Sequence, residues 1–268
     1  MKQLWDSFKI AFSMYSRIPM PRSQWTTETK AYAMGFFPWV GVVIGAVFFG
    51  LFWLTEWMAA HGILDGSLFR GVVLTLTPLA LTGGIHMDGF LDTRDALSAY
   101  APKERRLEIL KDPHTGAFAV ISCGMYLIGM LGLYGVLSPQ GAVVVSLGFV
   151  LSRTLSGLSV LCFPKAKKEG LAADFAAASR QKILRVALAC YLILAAVGMV
   201  LAGGLSGALS LTFAGIMFGY YKWMSQQKFG GITGDLAGYF LQLCELWIAA
   251  GAVLGAVLPE IAAILKQA

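Results

Sequence analysis

Long apolar runs, separated by short polar connections, dominate the sequence. Seven of these runs are close to the roughly 20 residues that an α-helix needs to cross the hydrocarbon core of a bilayer. The pattern predicts an all-α fold, a polytopic transmembrane helical bundle with about seven spans, built as one integral-membrane domain over residues 1–268. The runs cover residues 33–54, 68–84, 117–137, 141–162, 183–203, 205–222 and 236–258.

The first fifteen residues have the spacing of an amphipathic helix. Apolar side chains recur on one side, while lysine, glutamine and aspartate occupy the other, and the prolines at 19 and 21 end the pattern. We expect residues 1–30 to form an interfacial segment whose helix lies on the membrane surface. The apolar positions of this helix are Leu4, Trp5, Phe8, Ala11, Phe12 and Tyr15.

The second apolar run is the least regular of the seven. Pro78 interrupts it, and Gly83 and Gly84 end it. Because proline cannot donate a backbone hydrogen bond and glycine tolerates unusual backbone angles, we expect this helix to be kinked or broken near the glycine pair.

Composition supports a membrane protein. The chain is 57% hydrophobic and 13% charged, with a mean hydropathy of +0.69. A soluble domain of this size carries more charge, so we expect the lipid bilayer to surround the chain. The net charge of +6 does not indicate nucleic acid, because the basic residues lie in the connections between apolar runs.

The basic residues also predict an orientation. Lysines and arginines number five in the N-terminal segment, five in residues 83–116, six in 163–185 and two in 222–235, and none in the other connections. Basic connections stay on the cytoplasmic side of bacterial inner membranes. The N-terminus and every polar connection that could do chemistry are therefore expected to face the cytoplasm, with 83–116 as the main active-site segment.

Residues 83–116 concentrate aspartates in an otherwise apolar chain. Asp88, Asp92 and Asp95 stand at i, i+4 and i+7, so a helix would place all three on one face. Carboxylates that face one another repel unless a cation lies between them, and hard divalent ions prefer oxygen ligands. The spacing favours a metal site over a solvated helix face. Asp112 and Gly116 follow where the chain re-enters the membrane.

Basic residues near this segment could bind an anion. Lys165, Lys167 and Lys168 could hold a polyphosphate or attach the chain to anionic lipid, and the sequence leaves both readings open. Arg153 lies inside the fourth apolar run, where an ionisable side chain is costly and usually faces a bundle interior. We expect Arg153 to contact an anion or to pair with an aspartate.

A second polar stretch begins at Gly230. A helix starting near Asp235 would align that aspartate with Gly238, Gln242 and Glu245 in a stripe that runs into the membrane. Residues 230–235 also resemble 83–88, since both place Gly-Gly-Ile three residues before an aspartate. This similarity indicates a site with two related halves.

The chemistry of these residues suits phosphate transfer. The sequence contains no GxxxxGK[ST], HExxH or GxSxG motif, which argues against a P-loop NTPase, a zincin and a serine hydrolase. Carboxylates, glycines and basic residues on one face of a membrane bundle are typical of metal-assisted transfer of a phosphate-containing group.

These stretches together resemble the cobalamin synthase family, the adenosylcobinamide-GDP ribazoletransferases. The resemblance extends over most of the chain, and the stretch from Gly84 to Asp95 is its most specific part. It is carried by residues 16–19 (SRIP), 36–41 (FFPWVG), 83–97 (GGIHMDGFLDTRDAL), 110–112 (LKD), 116–118 (GAF), 152–153 (SR), 168–170 (KEG) and 230–245.

The resemblance implies a multi-pass enzyme of the bacterial inner membrane. Its members join adenosylcobinamide-GDP to α-ribazole or its 5′-phosphate, release GMP and use Mg²⁺; it leaves a homo-oligomer, or association with other corrinoid-assembly enzymes, open. On this basis Asp88, Asp92, Asp95 and Asp235 are expected to hold one or two Mg²⁺ ions. Asp95 or Asp235 is expected to act as the catalytic base. The expected substrate contacts are Gly83, Gly84, His86, Gly89, Asp112, Gly116, Arg153, Lys168, Gly230, Gly231, Thr233, Gln242 and Glu245.

Two other functions compete with this one. A CDP-alcohol phosphatidyltransferase also carries aspartates at a membrane exit, but its DGxxAR pattern would need Ala-Arg at Leu91 and Asp92. An ion-coupled transporter could use Arg153, Glu245 and a helix broken at the glycine pair. A transporter needs its ionisable groups near the membrane midplane, whereas most acids here are expected on one surface.

Overall fold

A computed structural model describes residues 2–64, 66–166 and 170–267, except for the side chains of residues 171 and 172. The elements over these ranges are helices, so the predicted all-α fold is confirmed. They are α1 (Lys2–Tyr15), α2 (Thr27–Lys30), α3 (Ala33–Ala60), α4 (Ser67–Thr82), α5 (Ile85–Ser98), α6 (Lys103–Ile109), α7 (Ala117–Gly135), α8 (Pro139–Cys162), α9 (Leu171–Ala178), α10 (Gln181–Gly203), α11 (Leu205–Phe229) and α12 (Gly234–Gln267).

Each of the seven apolar runs forms a helix. Five of them, α3, α7, α8, α10 and α12, are long and apolar enough to cross a membrane alone, and α4 with α5 gives a sixth candidate as a bent pair. The remaining helix, α11, contains the sixth apolar run, residues 205–222. It is longer than this run and ends in the polar sequence SQQK before Phe229. The chain is a multi-pass helical membrane protein, roughly as the sequence predicts.

Helix α8 lies at the centre of the bundle and packs against α3, α10 and α12. Two glycines allow its close contact with α3. A Cβ atom on Gly41 would lie 2.3 Å from the carbonyl oxygen of Phe149, and one on Gly45 would lie 2.4 Å from that of Ser146. In lipid, small residues at helix interfaces let backbones approach and gain packing contacts. Gly41 and Gly45 therefore set the distance between α3 and α8.

The predicted break in the second run lies at the glycine pair. Gly83 ends α4 with φ +66°, Gly84 precedes α5 with φ +79°, and the two helices meet at an angle of 96°. Residues with a Cβ atom rarely adopt these left-handed backbone angles, whereas glycine adopts them readily. Pro78, by contrast, lies inside α4 without ending it. The turn directs the aspartate helix α5 away from the line of the α4 span.

The N-terminal helix packs on the bundle with a face that differs from the predicted one. Ala11 and Phe12 are buried as expected, but Leu4 and Trp5 are 46% and 55% exposed. Lys9, predicted on the polar side, is buried and forms an ion pair with Asp6 at 2.7 Å. Packing of α1 against α3 determines which side is buried, and the membrane-surface position of α1 stays a prediction.

We expect Gly41→Leu to destabilise the bundle, because its side chain would meet the backbone of α8. The substitution should lower the free energy of unfolding by about 1–3 kcal/mol, the typical range for overpacked cores. Gly50→Leu on the same helix is the matched control, since nothing lies within 4 Å of its added Cβ atom. Thermal unfolding of both variants in detergent micelles measures the difference. Equal unfolding temperatures would contradict the assigned α3–α8 contact.

Candidate active site

The site forms where α5 and α12 touch backbone to backbone. A Cβ atom on Gly89 would lie 2.7 Å from the carbonyl oxygen of Asp235, and one on Gly238 would lie 3.1 Å from that of His86. Without side chains at these two glycines the helices can approach this closely. The contact brings Asp88, from one Gly-Gly-Ile stretch, next to Asp235, from the other.

The carboxylates at this junction influence one another. Burial, and after it the charges of Asp88, Asp235 and Asp95, together raise the pKa of Asp92 to about 6. Each of these effects penalises the charged form of Asp92. A cation bound among the carboxylates would relieve this penalty, so the electrostatics of α5 and α12 favour binding of a positive ion.

The donor set fits magnesium that is shared with a substrate. Within the part of the chain that the structure describes, no three His, Cys, Asp or Glu side chains converge to hold a metal ion by themselves. Mg²⁺ usually binds proteins through only one or two carboxylates and completes its octahedron with water and substrate phosphates. Asp88, Asp92 and Asp235 can supply such carboxylates, and the magnesium site stays a prediction.

Asp95 holds the start of α7. Its two carboxylate oxygens accept hydrogen bonds from the backbone N–H groups of Gly116 and Ala119, the latter at 2.8 Å. A Cβ atom on Gly116 would lie 2.7 Å from both oxygens, so only glycine fits there without a shift. A carboxylate at a helix N-terminus satisfies free N–H groups and interacts well with the helix dipole. The predicted metal and proton-transfer roles of Asp95 stay predictions.

Arg153 and Glu245 form a buried ion pair between α8 and α12. Their side chains are 1% and 4% exposed, and Arg153 Nη1 lies 2.5 Å from Glu245 Oε1. The hydroxyl of Ser152 donates a hydrogen bond of 3.1 Å to the same oxygen. The expected partner was an anion or an aspartate, and the partner in the structure is a glutamate. Substrate contacts by Arg153, Glu245 and the buried Gln242 stay predictions.

The second Gly-Gly stretch fastens α12 to the connection after α8. Gly230 ends α11 with φ +78°, and Ile232 exchanges backbone hydrogen bonds of 2.9 and 3.0 Å with Pro164 and Ala166. A Cβ atom on Gly231 would lie 2.5 Å from the backbone nitrogen of Ala166. These contacts place the first part of the lysine-rich connection beside the start of α12, near Asp235. Lys168, the predicted phosphate contact, lies outside the described residues.

Thr233 completes the start of α12. Its hydroxyl accepts a hydrogen bond of 3.2 Å from the N–H of Leu236 and lies 3.5 Å from a carboxylate oxygen of Asp235. A threonine in this position satisfies one of the free N–H groups at a helix start. Thr233 therefore orients the first turn of α12, and with it Asp235.

Asp112 does not join the other aspartates in the described contacts. It is exposed and accepts hydrogen bonds from the backbone and the ring of His114. The backbone hydrogen bond from His114 is the main cause that holds the pKa of Asp112 below its usual value. Its contact with substrate stays a prediction.

A cavity of about 260 Å³ opens beside Asp88 and Asp235. Side chains of α1, α3, α5, α8, α9 and α12 line it, and most of them are apolar. His86 is buried in its wall, and burial, with the charge of Arg153, lowers the pKa of His86 to about 3. The cavity thus joins an aromatic and aliphatic interior to the carboxylates at its edge.

Comparison with known proteins agrees with this architecture. The sequence model of the family described as cobalamin-5-phosphate synthase matches residues 7–253. The chain belongs to the cobalamin-5-phosphate synthase family. The match includes all of α2 to α11, and so the aspartate helix and both Gly-Gly-Ile stretches.

Three bacterial relatives carry the name adenosylcobinamide-GDP ribazoletransferase. The chain is 44% identical over 241 residues to the protein from Lachnoclostridium phytofermentans, covering 90% of each chain. It is 32% identical over 260 residues to the one from Desulfitobacterium hafniense, covering 94% of this chain and 96% of the relative. The protein from Clostridium perfringens is 30% identical over 257 residues, covering 91% and 96%. No solved structure matches the chain.

Family membership favours a transferase of cobalamin synthesis over a phosphatidyltransferase or a transporter. Arg153 and Glu245 form a buried ion pair between α8 and α12, although the buried Nε atom of Arg153 has no hydrogen-bond partner among the described residues. Ionisable residues inside membranes also pair in this way in transporters, so it is family membership that decides between the functions.

Sequence reasoning missed most of the cavity wall. The sequence predicts Tyr15 in an interfacial helix and Phe37 in an apolar span, although Tyr15 directly precedes SRIP and Phe37 lies within FFPWVG, two stretches that carry the family resemblance. Those stretches were the available signal. The missed lining residues are Met14, Tyr15, Met34, Phe37, Ile85, Ser156, Val160, Phe175, Gly234, Ala237 and Leu241.

We expect Glu245→Gln to unfold the bundle more easily, because it leaves the guanidinium of Arg153 buried without a counter-charge. Breaking a buried pair in this way costs about 3–5 kcal/mol. Glu108→Gln is the control, since its pair with Arg105 is 64% exposed and should matter little. Denaturation in detergent measures both variants, and Arg153→Met with Glu245→Leu should regain stability. Wild-type stability of Glu245→Gln would contradict the assigned pair.

Proposed function

We propose that this chain is an adenosylcobinamide-GDP ribazoletransferase. It joins adenosylcobinamide-GDP to α-ribazole, or to its 5′-phosphate, and releases GMP. The observation that carries the proposal is the junction of Asp88, Asp92 and Asp235 beside a mostly apolar cavity, in a chain that belongs to the cobalamin-5-phosphate synthase family. Such a site combines groups for a charged pyrophosphate with a compartment for an apolar substrate part.

The reaction is a phosphoryl transfer. A ribose hydroxyl oxygen of the ribazole attacks the phosphorus nearest the corrinoid and forms a new P–O bond. The bond from this phosphorus to the oxygen that bridges the two phosphates breaks, and that oxygen leaves as part of GMP. The hydroxyl proton passes to a carboxylate of the chain. Since little covalent chemistry falls to the protein, its task is to position the substrates and stabilise charge.

Asp235 is the better candidate for the carboxylate that takes the proton. It lines the cavity at the first turn of α12, next to Asp88. Both oxygens of Asp95 already accept backbone hydrogen bonds from the start of α7. Asp95 therefore acts in this proposal by holding α7 against α5. Arg153 is committed to Glu245 and is left out of the phosphate contacts.

Asp88 and Asp92, with Asp235, would hold Mg²⁺ against the pyrophosphate. When bound there, the ion would screen phosphate charge and stabilise the leaving GMP. Asp88 is exposed and Asp92 half-buried, so one carboxylate faces the solvent from which the nucleotide arrives and the other lies within the helix junction. At the turn before α5, Gly83 leaves room for the side chain of Arg17, since a Cβ atom there would lie 2.7–2.9 Å from three Arg17 side-chain atoms, whereas Gly84 has nothing within 4 Å of an added Cβ atom.

We also propose that the site faces the cytoplasm from a bacterial inner membrane. The basic residues of the N-terminal segment, of residues 83–116 and of 163–185 support this orientation. Asp88 belongs to residues 83–116, and the residues just before α12 contact Pro164 and Ala166, so the position of both aspartates supports this orientation.

We expect purified protein to release GMP from adenosylcobinamide-GDP when α-ribazole and Mg²⁺ are present. Asp88→Asn and Asp92→Asn should each lower kcat by roughly 100-fold or more, because they remove negative charge and oxygen ligands at the pyrophosphate. Glu104→Gln, an exposed change on α6, is the matched control and should keep wild-type turnover. Near-wild-type activity in both aspartate variants would overturn the assigned site.

Magnesium dependence follows from the same carboxylates. Treatment with EDTA should abolish GMP release, and added Mg²⁺ should restore it. Asp92→Asn should need a higher Mg²⁺ concentration for half-maximal rate, by about 10-fold or more, because fewer ligands remain. Titration of the initial rate with Mg²⁺ measures this shift. Full turnover in EDTA would show that the carboxylates serve another purpose.

A further inference from the structure

The cavity beside the carboxylates has an aromatic wall. The ring centroids of Tyr15 and Phe37 lie 4.2 Å apart, and the ring of His86 lies 6.0 Å from the first and 5.9 Å from the second. The three rings come from α1, α5 and α3, so tertiary packing alone assembles them. Flat aromatic ligands gain stacking and edge contacts from such a group of rings.

One polar atom in this wall lacks a partner. The side chain of His86 is 6% exposed, and its Nε2 atom is buried without a hydrogen bond. A buried nitrogen without a partner costs free energy, and native structures avoid it unless a ligand or water satisfies it. The residue lines the cavity, so the available partner is a molecule bound inside.

We propose that this cavity binds the aromatic base of the ribazole, with His86 Nε2–H donating a hydrogen bond to the free ring nitrogen of the benzimidazole. The inference rests on the proposed function and assigns one substrate to one part of the site. Tyr15 and Phe37 contact the faces and edges of the base. The attached ribose then points to the cavity edge, where Asp88 and Asp235 lie.

The other parts of the substrates fit the cavity less well. The corrin macrocycle is far larger than about 260 Å³ allows. Guanine is small enough, but its edge carries several donors and acceptors, and a mostly apolar wall would leave them unpaired at a large cost. A benzimidazole has one acceptor nitrogen and otherwise apolar edges. In the cavity wall, His86 can donate a hydrogen bond to that nitrogen, and methionine and aliphatic side chains can pack against the edges.

The placement also orders the reacting groups. A base held between α1, α3 and α5 fixes one end of the nucleoside. The hydroxyl groups of the ribose then face the first turn of α12. Holding the nucleophile in this way converts a bimolecular step into an effectively intramolecular one. The pyrophosphate of the second substrate approaches the same carboxylates from the exposed side of Asp88.

Steady-state kinetics with both substrates varied test the proposal. Phe37→Ala should raise the KM for α-ribazole by roughly 10- to 100-fold, the range for loss of one base-stacking ring, and change the KM for adenosylcobinamide-GDP less than about 3-fold. Phe48→Ala is the matched control, because Phe48 is equally buried on α3 but packs against Tyr134 and Phe149. It should leave both KM values unchanged.

A second measurement tests the hydrogen bond on the wild-type protein. The analogue 1-α-ribofuranosyl-5,6-dimethylindole replaces the free ring nitrogen with a C–H group. Wild-type protein should prefer α-ribazole over it by about 10-fold in kcat/KM. His86→Phe, which keeps a ring in place, should remove this preference. This comparison decides the proposal if Phe37→Ala fails to fold, and it reads out the hydrogen bond independently of stability.

The outcomes separate this inference from the proposed function. If wild-type protein releases GMP with neither α-ribazole nor its 5′-phosphate, the proposed function fails. If it releases GMP with either, and Phe37→Ala raises only the KM for adenosylcobinamide-GDP, raises both KM values alike or changes neither, the cavity does not bind the base. Equal use of the indole analogue by wild-type protein would likewise overturn the role of His86.

Discussion

The backbone contact between α5 and α12 is the constraint on which the site depends. It exists because Gly89 and Gly238 have no side chains, and it draws together two aspartates that lie almost 150 positions apart in the sequence. A larger residue at either position would separate the helices by the width of a methyl group or more. The charge of Asp235 would then act on Asp92 from a greater distance and raise its pKa less.

Around this contact the bundle supplies fixed supports. Arg153 and Glu245 tie α12 to the central helix α8, and Asp95 ties α5 to the start of α7. Gly83 and Gly84 turn α5 by 96° from α4, so that it packs against α12 and α7 instead of continuing α4. The charged residues that the sequence suggests for catalysis thus form two groups. Some join neighbouring helices, and the others line the cavity.

The sequence predicts what is local. Apolar runs locate the spanning helices, the spacing of the aspartates predicts α5, and the glycine pair locates the break, because each of these follows from neighbouring residues alone. Features that depend on tertiary packing are not predicted from the sequence. The side of α1 that is buried, the partner of Arg153 and the capping of α7 by Asp95 all require residues distant in the sequence. The cavity is not predicted for the same reason, since six helices contribute to its wall.

The pair of Arg153 and Glu245 has a consequence for the electrical behaviour of the protein. Moving one elementary charge across a membrane with a potential of 100 mV changes its free energy by about 2.3 kcal/mol. Because one positive and one negative group lie together at the same depth, their contributions cancel. The interior of the bundle around this pair therefore couples little to the membrane voltage, so the α8–α12 contact stays constant as the energy state of the cell varies.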